Sequence, residues 1–94
     1  MECMKKFERI LKGLANHRRL TIVKFLQKTK EANVSEIAGV IDLSLKATSK
    51  HLNILANLDI LERQQKSLEM FYRLMHPMHL LAKNVITYIS NSRE

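Results

Sequence analysis

The stretch Val34–Leu58, VSEIAGVIDLSLKATSKHLNILANL, decides the fold. It is predicted to form two helices joined by a tight turn. The first begins at Ser35, whose hydroxyl can cap free backbone N–H groups, with Glu36 favourably placed in the first turn. Ile37, Ala38 and Ile41 recur on one side at helical spacing, and the small Ala38 lets a second helix approach closely. Asp42 occupies the turn, where a short polar side chain tolerates positive φ. Ser44 is the next cap, and Leu43 can fold back onto the new helix as a hydrophobic staple.

In that second helix Leu45, Thr48, Leu52 and Leu55 form one stripe, while Lys46, Ser49, Lys50, Asn53 and Asn57 run along the opposite face. A solvated surface is the ordinary explanation of such a face. Two features favour a DNA partner instead: no acidic residue occurs before Asp59, and the basic residues occupy the N-terminal half, the end that a helix-turn-helix points into the major groove.

A length of 94 residues suits one small domain whose thin core would gain from oligomerisation. Lys and Arg outnumber Asp and Glu by 16 to 9, and the resulting charge of +7 suits an anionic polymer or surface. No apolar run approaches the roughly 18 residues needed to cross a bilayer, and the start is too charged for a signal peptide. The single cysteine, Cys3, excludes an internal disulfide and fits a reducing compartment, so a cytoplasmic location is expected.

Working outward, residues 4–14 place Met4, Phe7, Ile10, Leu11 and Leu14 on one helical face, with Gly13 expected to bend or stop the helix. A second helix is predicted from about Asn16, its cap, to Lys28, with Leu20, Ile22, Val23, Phe25 and Leu26 entering the core; Thr29–Asn33 reads as a polar connection. Beyond Leu58 the period changes to two. Ile60–Gln65 and Leu68–Leu74 read as a hairpin separated by Lys66 and Ser67, with Met70, Tyr72 and Leu74 on one face and Phe71 and Arg73 on the other. After a helix-turn-helix, such a hairpin is a wing. Pro77 suits the first turn of a last helix running to about Ser90, with His76 extended before it. That helix is apolar over more than one stripe, which predicts a homodimer built from both chain ends: Met4, Phe7, Ile10 and Leu11 with Leu80, Leu81, Val85, Tyr88 and Ile89. The fold class is mainly α with a small β-hairpin, about five helices and a two-stranded wing, in one domain spanning residues 1–94.

With these elements placed, the chain resembles the arsenic-repressor (ArsR) family of winged helix-turn-helix transcription regulators. LKGLANHRRLTIVKFL (Leu11–Leu26) is similar to the family's opening segment, VSEIAGVIDLSLKATSKHLNIL (Val34–Leu55) to its reading head and MFYRL (Met70–Leu74) to its returning wing strand. His17 stands where the family usually has proline, Leu45 where a polar residue often opens the recognition helix, and the wing tip, Gln64–Glu69, has no glycine. The resemblance implies repression through an inverted-repeat DNA operator bound as a homodimer. Ser44, Lys46, Ala47, Ser49, Lys50 and Asn53 would meet phosphates and base edges, and Arg63, Gln64, Lys66 and Arg73 would hold the flanking backbone or minor groove from the wing.

Many relatives release DNA on binding a metal. Their thiolate site is a Cys-Val-Cys stretch, but the matching residues here are Asn33, Val34 and Ser35, which lack soft donors. A second family site pairs acids and histidines across the last helix; here His76 and His79 stand near its start, yet Ser90, Asn91, Ser92, Arg93 and Glu94 supply no later histidine. No metal and no cofactor are therefore expected, with His76 as a helix cap and His79 as a partly buried surface residue. Alternatives left open are a metal response through His76 and His79, a redox response in which Cys3 pairs between subunits, and a winged helix that docks a protein without specific DNA binding. No inducer is indicated. An enzyme is disfavoured by the lack of a glycine-rich phosphate loop, a nucleophile–base arrangement or clustered carboxylates.

Overall fold

The structure, a computed structural model, describes residues 3–92. Its elements run α1 (Met4–Leu14), α2 (His17–Thr29), β1 (Ala32–Asn33), α3 (Val34–Ile41), α4 (Leu45–Asn57), β2 (Leu61–Lys66), β3 (Glu69–Leu74) and α5 (Leu80–Ser90). The sheet is antiparallel in the order β1-β3-β2. The fold is a winged helix-turn-helix.

Short polar side chains start most of the helices. The Asn16 carboxamide oxygen accepts from the backbone of Arg18 and Arg19 at 3.0 and 3.1 Å, opening α2. Ser44 Oγ accepts from Ala47 N at 3.1 Å, opening α4 as expected. For α3 the expected cap, Ser35, lies inside the helix; Asn33 caps it instead, accepting from Glu36 N at 2.8 Å while the Glu36 carboxylate accepts from Asn33 N at 2.9 Å. That reciprocal capping box satisfies two N–H groups at once, which a lone Ser35 hydroxyl could not do. Asp42 ends α3 at φ 56°, ψ 52°, in the left-handed turn expected of it.

The supposed connection Thr29–Asn33 contains β1, which pairs Ala32 with Tyr72 and Asn33 with Phe71, so the two-stranded wing is rooted in a third strand. Its own turn sits one residue later than expected: Lys66 pairs with Glu69, leaving Ser67 and Leu68 as the connection. Ser67 takes the positive φ, 59°, that a glycine would have supplied.

The core is continuous, running from Ile10 and Leu14 of α1 through Ile22, Val23, Leu26, Ile37, Ile41, Leu52 and Leu55 to Leu61, Tyr72, Leu74, Ala82 and Ile86. Gly13 lies in the last turn of α1, one residue before its end. Its hydrogen lets α1 meet the end of α4, because a Cβ at position 13 would lie 2.1 Å from Leu58 Cδ1. Helix α5 starts three residues later than Pro77; His79 is its cap, its Nδ1 accepting from Leu81 N at 3.1 Å, while His76 is exposed and joined to Pro77 by a cis peptide bond. The His79 ring also meets Phe7 edge-on, with centroids 6.1 Å apart, joining α5 to α1.

Removing the capping box should be measurable. Asn33→Ala is expected to lower unfolding stability by about 1 kcal/mol, read as a lower urea midpoint at unchanged slope.

Candidate nucleic-acid interface

Helix α4 places its side chains by burial. Thr48, Leu52 and Leu55 are fully buried, which turns Lys46, Lys50, Asn53 and Asn57 outward into solvent, with Ser49 and Ala47 half-buried beside them. Leu45 departs from the expected stripe and is 55% exposed. It is the first residue of the helix, and the lean of helical side chains towards the N-terminus carries it past the core. The exposed face of α4 therefore holds lysine, serine and asparagine, with no carboxylate on the helix itself.

The wing divides the residues expected to act together. The strand register puts Arg63 on the face of Tyr72, whereas Gln64, Lys66 and Arg73 share the opposite face with Phe71. Their surroundings differ as well. The Arg63 guanidinium lies 5.9 Å from the Tyr72 ring centroid. Lys66 Nζ bonds both carboxylate oxygens of Glu31 at 2.7 and 2.9 Å and lies 5.1 Å from the Phe71 centroid, and Arg73 pairs with Glu62. All four side chains are exposed, but Lys66 and Arg73 would have to exchange or share their carboxylates to meet a phosphate. Leu68 stands at the tip, almost wholly in solvent.

Two residues that sequence reasoning passed over hold this assembly. Arg18 donates from Nε to the Ile41 carbonyl at 2.8 Å, tying α2 to the last turn of α3. Arg19 donates to the Gly13 carbonyl at 2.5 Å and the Lys12 carbonyl at 3.4 Å, and its Nη1 lies 3.1 Å from His51 Nδ1 on α4. Guanidinium is only a donor, so Nδ1 accepts and the neutral ring carries its hydrogen on Nε2. Burial first, and then the charges of Arg19 and Arg18, hold the His51 pKa below its ordinary 6.5. The available signal was the pair Arg18-Arg19 in the first turn after the Asn16 cap.

On α1 and α5, Met4, Leu11, Leu80 and Tyr88 are exposed, Leu80 to 66% and Tyr88 to 80%, with Phe7, Leu81, Val85 and Ile89 half-buried. Ile10, expected among the contacts to a second copy, is only 2% exposed and belongs to the protomer's own core. It stands a turn of helix from Gly13 and faces inward with Leu14.

Two of the residues matching the family's metal positions are otherwise engaged: the Asn33 side chain is the α3 cap, and His79 Nδ1 caps α5. Among the described residues no three His, Cys, Asp or Glu side chains are grouped so as to hold a metal; Arg93 and Glu94 lie outside the described residues. Cys3 is an exposed thiol in a shallow cleft with Lys5, Lys6 and Arg9. No helix among the described residues is long and apolar enough to cross a membrane.

A family model described as bacterial regulatory protein, arsR family, matches residues 16–63, from the cap of α2 into the first wing strand. The structure is similar to HlyU from Vibrio cholerae, with 30% identity, a TM-score of 0.80 and coverage of 95% of this chain and 94% of that one. It is similar to the transcriptional repressor PagR of Bacillus anthracis, at 28% identity and TM-score 0.75, covering 92% and 94% of the two chains. The fold is also that of the homodimeric winged helix-turn-helix DNA-binding domain of Mb0332 from Mycobacterium bovis, at 24% identity and TM-score 0.77, covering 92% of this chain and 76% of that one. No curated protein sequence matches the chain.

The Arg19–His51 contact has a pH signature. The folded imidazole takes up a proton less readily than the unfolded one, so the stability present above pH 6.5 is lost as pH falls below that value and through the lower pKa of the folded state. His51→Gln, which keeps an acceptor but cannot titrate, is expected to lose less stability than the parent protein between pH 7.5 and about 5.5 in urea titrations.

Proposed function

This chain belongs to the arsR family of bacterial regulatory proteins, winged helix-turn-helix regulators that bind DNA, and from that premise we propose that it represses transcription by gripping an inverted-repeat operator as a homodimer. The observation that carries this reading is the acid-free outer face of α4, exposed because Thr48, Leu52 and Leu55 are buried. Lys46, Lys50, Asn53, Ser44, Ser49 and Ala47 meet the major groove, and the helix N-terminus adds its partial positive charge for a phosphate. From the wing, Arg63 and Gln64 reach the flanking duplex directly, whereas Lys66 and Arg73 do so in exchange with Glu31 and Glu62. A charge of +7, doubled in a symmetric dimer, draws the protein to DNA without selecting a sequence.

The second copy is held by the ends of the chain. Met4, Phe7 and Leu11 of α1 and Leu80, Leu81, Val85, Tyr88 and Ile89 of α5 form the contact, and residues 1–94 act as one DNA-binding domain. Each of these large side chains contributes about 1.5–3 kcal/mol if fully removed from water, so several together favour association. Two-fold symmetry then sets half-sites about one helical turn apart, or a multiple of that. The protein is not an enzyme in this reading, it needs no metal to bind its operator, and it acts in the cytoplasm. PagR is a transcriptional repressor, which supports the same sign of regulation here.

Selection of bound fragments from random duplex DNA tests the reading. An inverted repeat with strongly salt-dependent affinity is expected, while recovery of no preferred sequence together with salt-independent binding would favour a protein-docking module. Lys50→Ala should weaken operator binding and flatten the log–log salt dependence by about 0.9 per subunit, measured by fluorescence anisotropy. Tyr88→Glu is expected to shift the sedimentation coefficient from dimer to monomer and to abolish cooperative occupation of the two half-sites.

A further inference from the structure

Leu45 breaks the pattern of its own helix. It follows the Ser44 cap as the first residue of α4 and is 55% exposed, between the exposed Ser44 and Lys46. Single exposed leucines are common on protein surfaces, and exposure alone would say nothing. Its position says more. Helical side chains lean towards the N-terminus, and at the first residue of α4 that is the end a helix-turn-helix presents to base edges.

A leucine in a major groove can neither donate nor accept a hydrogen bond. Against guanine, adenine or cytosine edges it would strip water from polar groups and return nothing. The C5 methyl of thymine is the one apolar group exposed there, and burying it against an isobutyl side chain is favourable. Ala47 offers a shorter methyl and is half-buried, so it reaches less far. We propose that Leu45 is a specificity-determining residue that reads the methyl group of one thymine in each operator half-site. This rests on the operator-binding reading above, which the lysines and serines alone would satisfy on any sequence offering phosphates and acceptors.

The test removes only the methyl. Duplexes selected by the full chain are resynthesised with deoxyuridine for thymine, one symmetry-related pair of positions at a time. At one pair, affinity is expected to fall about four-fold per half-site. Leu45→Ala should then bind the thymine and uracil duplexes equally, at an unchanged salt slope and with a native circular dichroism spectrum, while Leu45→Met should keep the methyl dependence. Sequence-specific binding indifferent to every thymine methyl would overturn the inference and leave the regulator reading standing. So would methyl dependence that survives in Leu45→Ala. Selection of no preferred duplex would bring down the operator reading and this inference together.

Discussion

The rotation of α4 about its own axis is the constraint on which the rest depends. Thr48, Leu52 and Leu55 are buried together, and with 3.6 residues per turn their joint burial leaves one azimuth for every other side chain on the helix. Turning Lys46 or Lys50 inward would expose leucines at about 1.5–3 kcal/mol each and take an ammonium group out of water. The leucines therefore aim the lysines. A binding face obtained in this way keeps its direction without contacts of its own, so its side chains remain free for a partner.

Aim alone does not set the position of the helix, and here polar contacts contribute what apolar burial cannot. Helix C-termini carry unpaired carbonyls and partial negative charge, which suit a guanidinium. Arg18 takes the last turn of α3 and Arg19 that of α1, so two adjacent residues of α2 hold the ends of two other helices, and Arg19 reaches His51 on α4 as well. At the other end of α3, Asn33 belongs at once to β1, to the capping box and to a 3.3 Å bond with Glu69 of the wing. Reader and wing thus share a residue. The exposed Lys66–Glu31 and Arg73–Glu62 pairs add little to stability, as surface ion pairs usually do. Their greater effect is to leave Arg63 as the wing cation without an acidic partner among the described residues.

How far the residues announce this arrangement depends on the range of the signal. Helical and strand periodicities are local, and they located every helix and both wing strands to within a few residues. The left-handed turn at Asp42 and the Ser44 cap are likewise decided by immediate neighbours. The Asn33 cap was equally local, written as Asn-Val-Ser-Glu, but Ser35 competed for the same role and the backbone geometry decided between them. The third strand, two residues long, has no period to detect and exists only because β3 lies beside it. The Arg18 and Arg19 contacts and the proximity of Gly13 to Leu58 are tertiary, depending on which helix ends meet. For the site, the outward lysines of α4 and the alternating faces of the wing could be foreseen from local periodicity, whereas the pairing of Lys66 with Glu31, 35 residues away, is tertiary.

Leu45 and the terminal helices show the same logic from the opposite side. Local rules put Leu45 in a stripe with Thr48 and Ile10 in a stripe with Met4, Phe7 and Leu11, yet the structure exposes Leu45 and buries Ile10. A helical wheel treats a helix as endless and its surroundings as uniform. Leu45 fails that assumption because it is the first residue of its helix, with no preceding turn beside it; Ile10 fails it because α1 is covered on one flank by the domain and open on the other, so its apolar residues divide between two environments. The stripe on α1 and α5 is thus wider than one core requires. The exposed Met4 and Leu11 of α1 and Leu80 and Tyr88 of α5 are what a second copy would cover, and covering them would place two α4 helices in a fixed relation. Helix α2 packs against α1, α3, α4 and α5, so the helix bearing the outward lysines and the two apolar terminal helices rest on one common element.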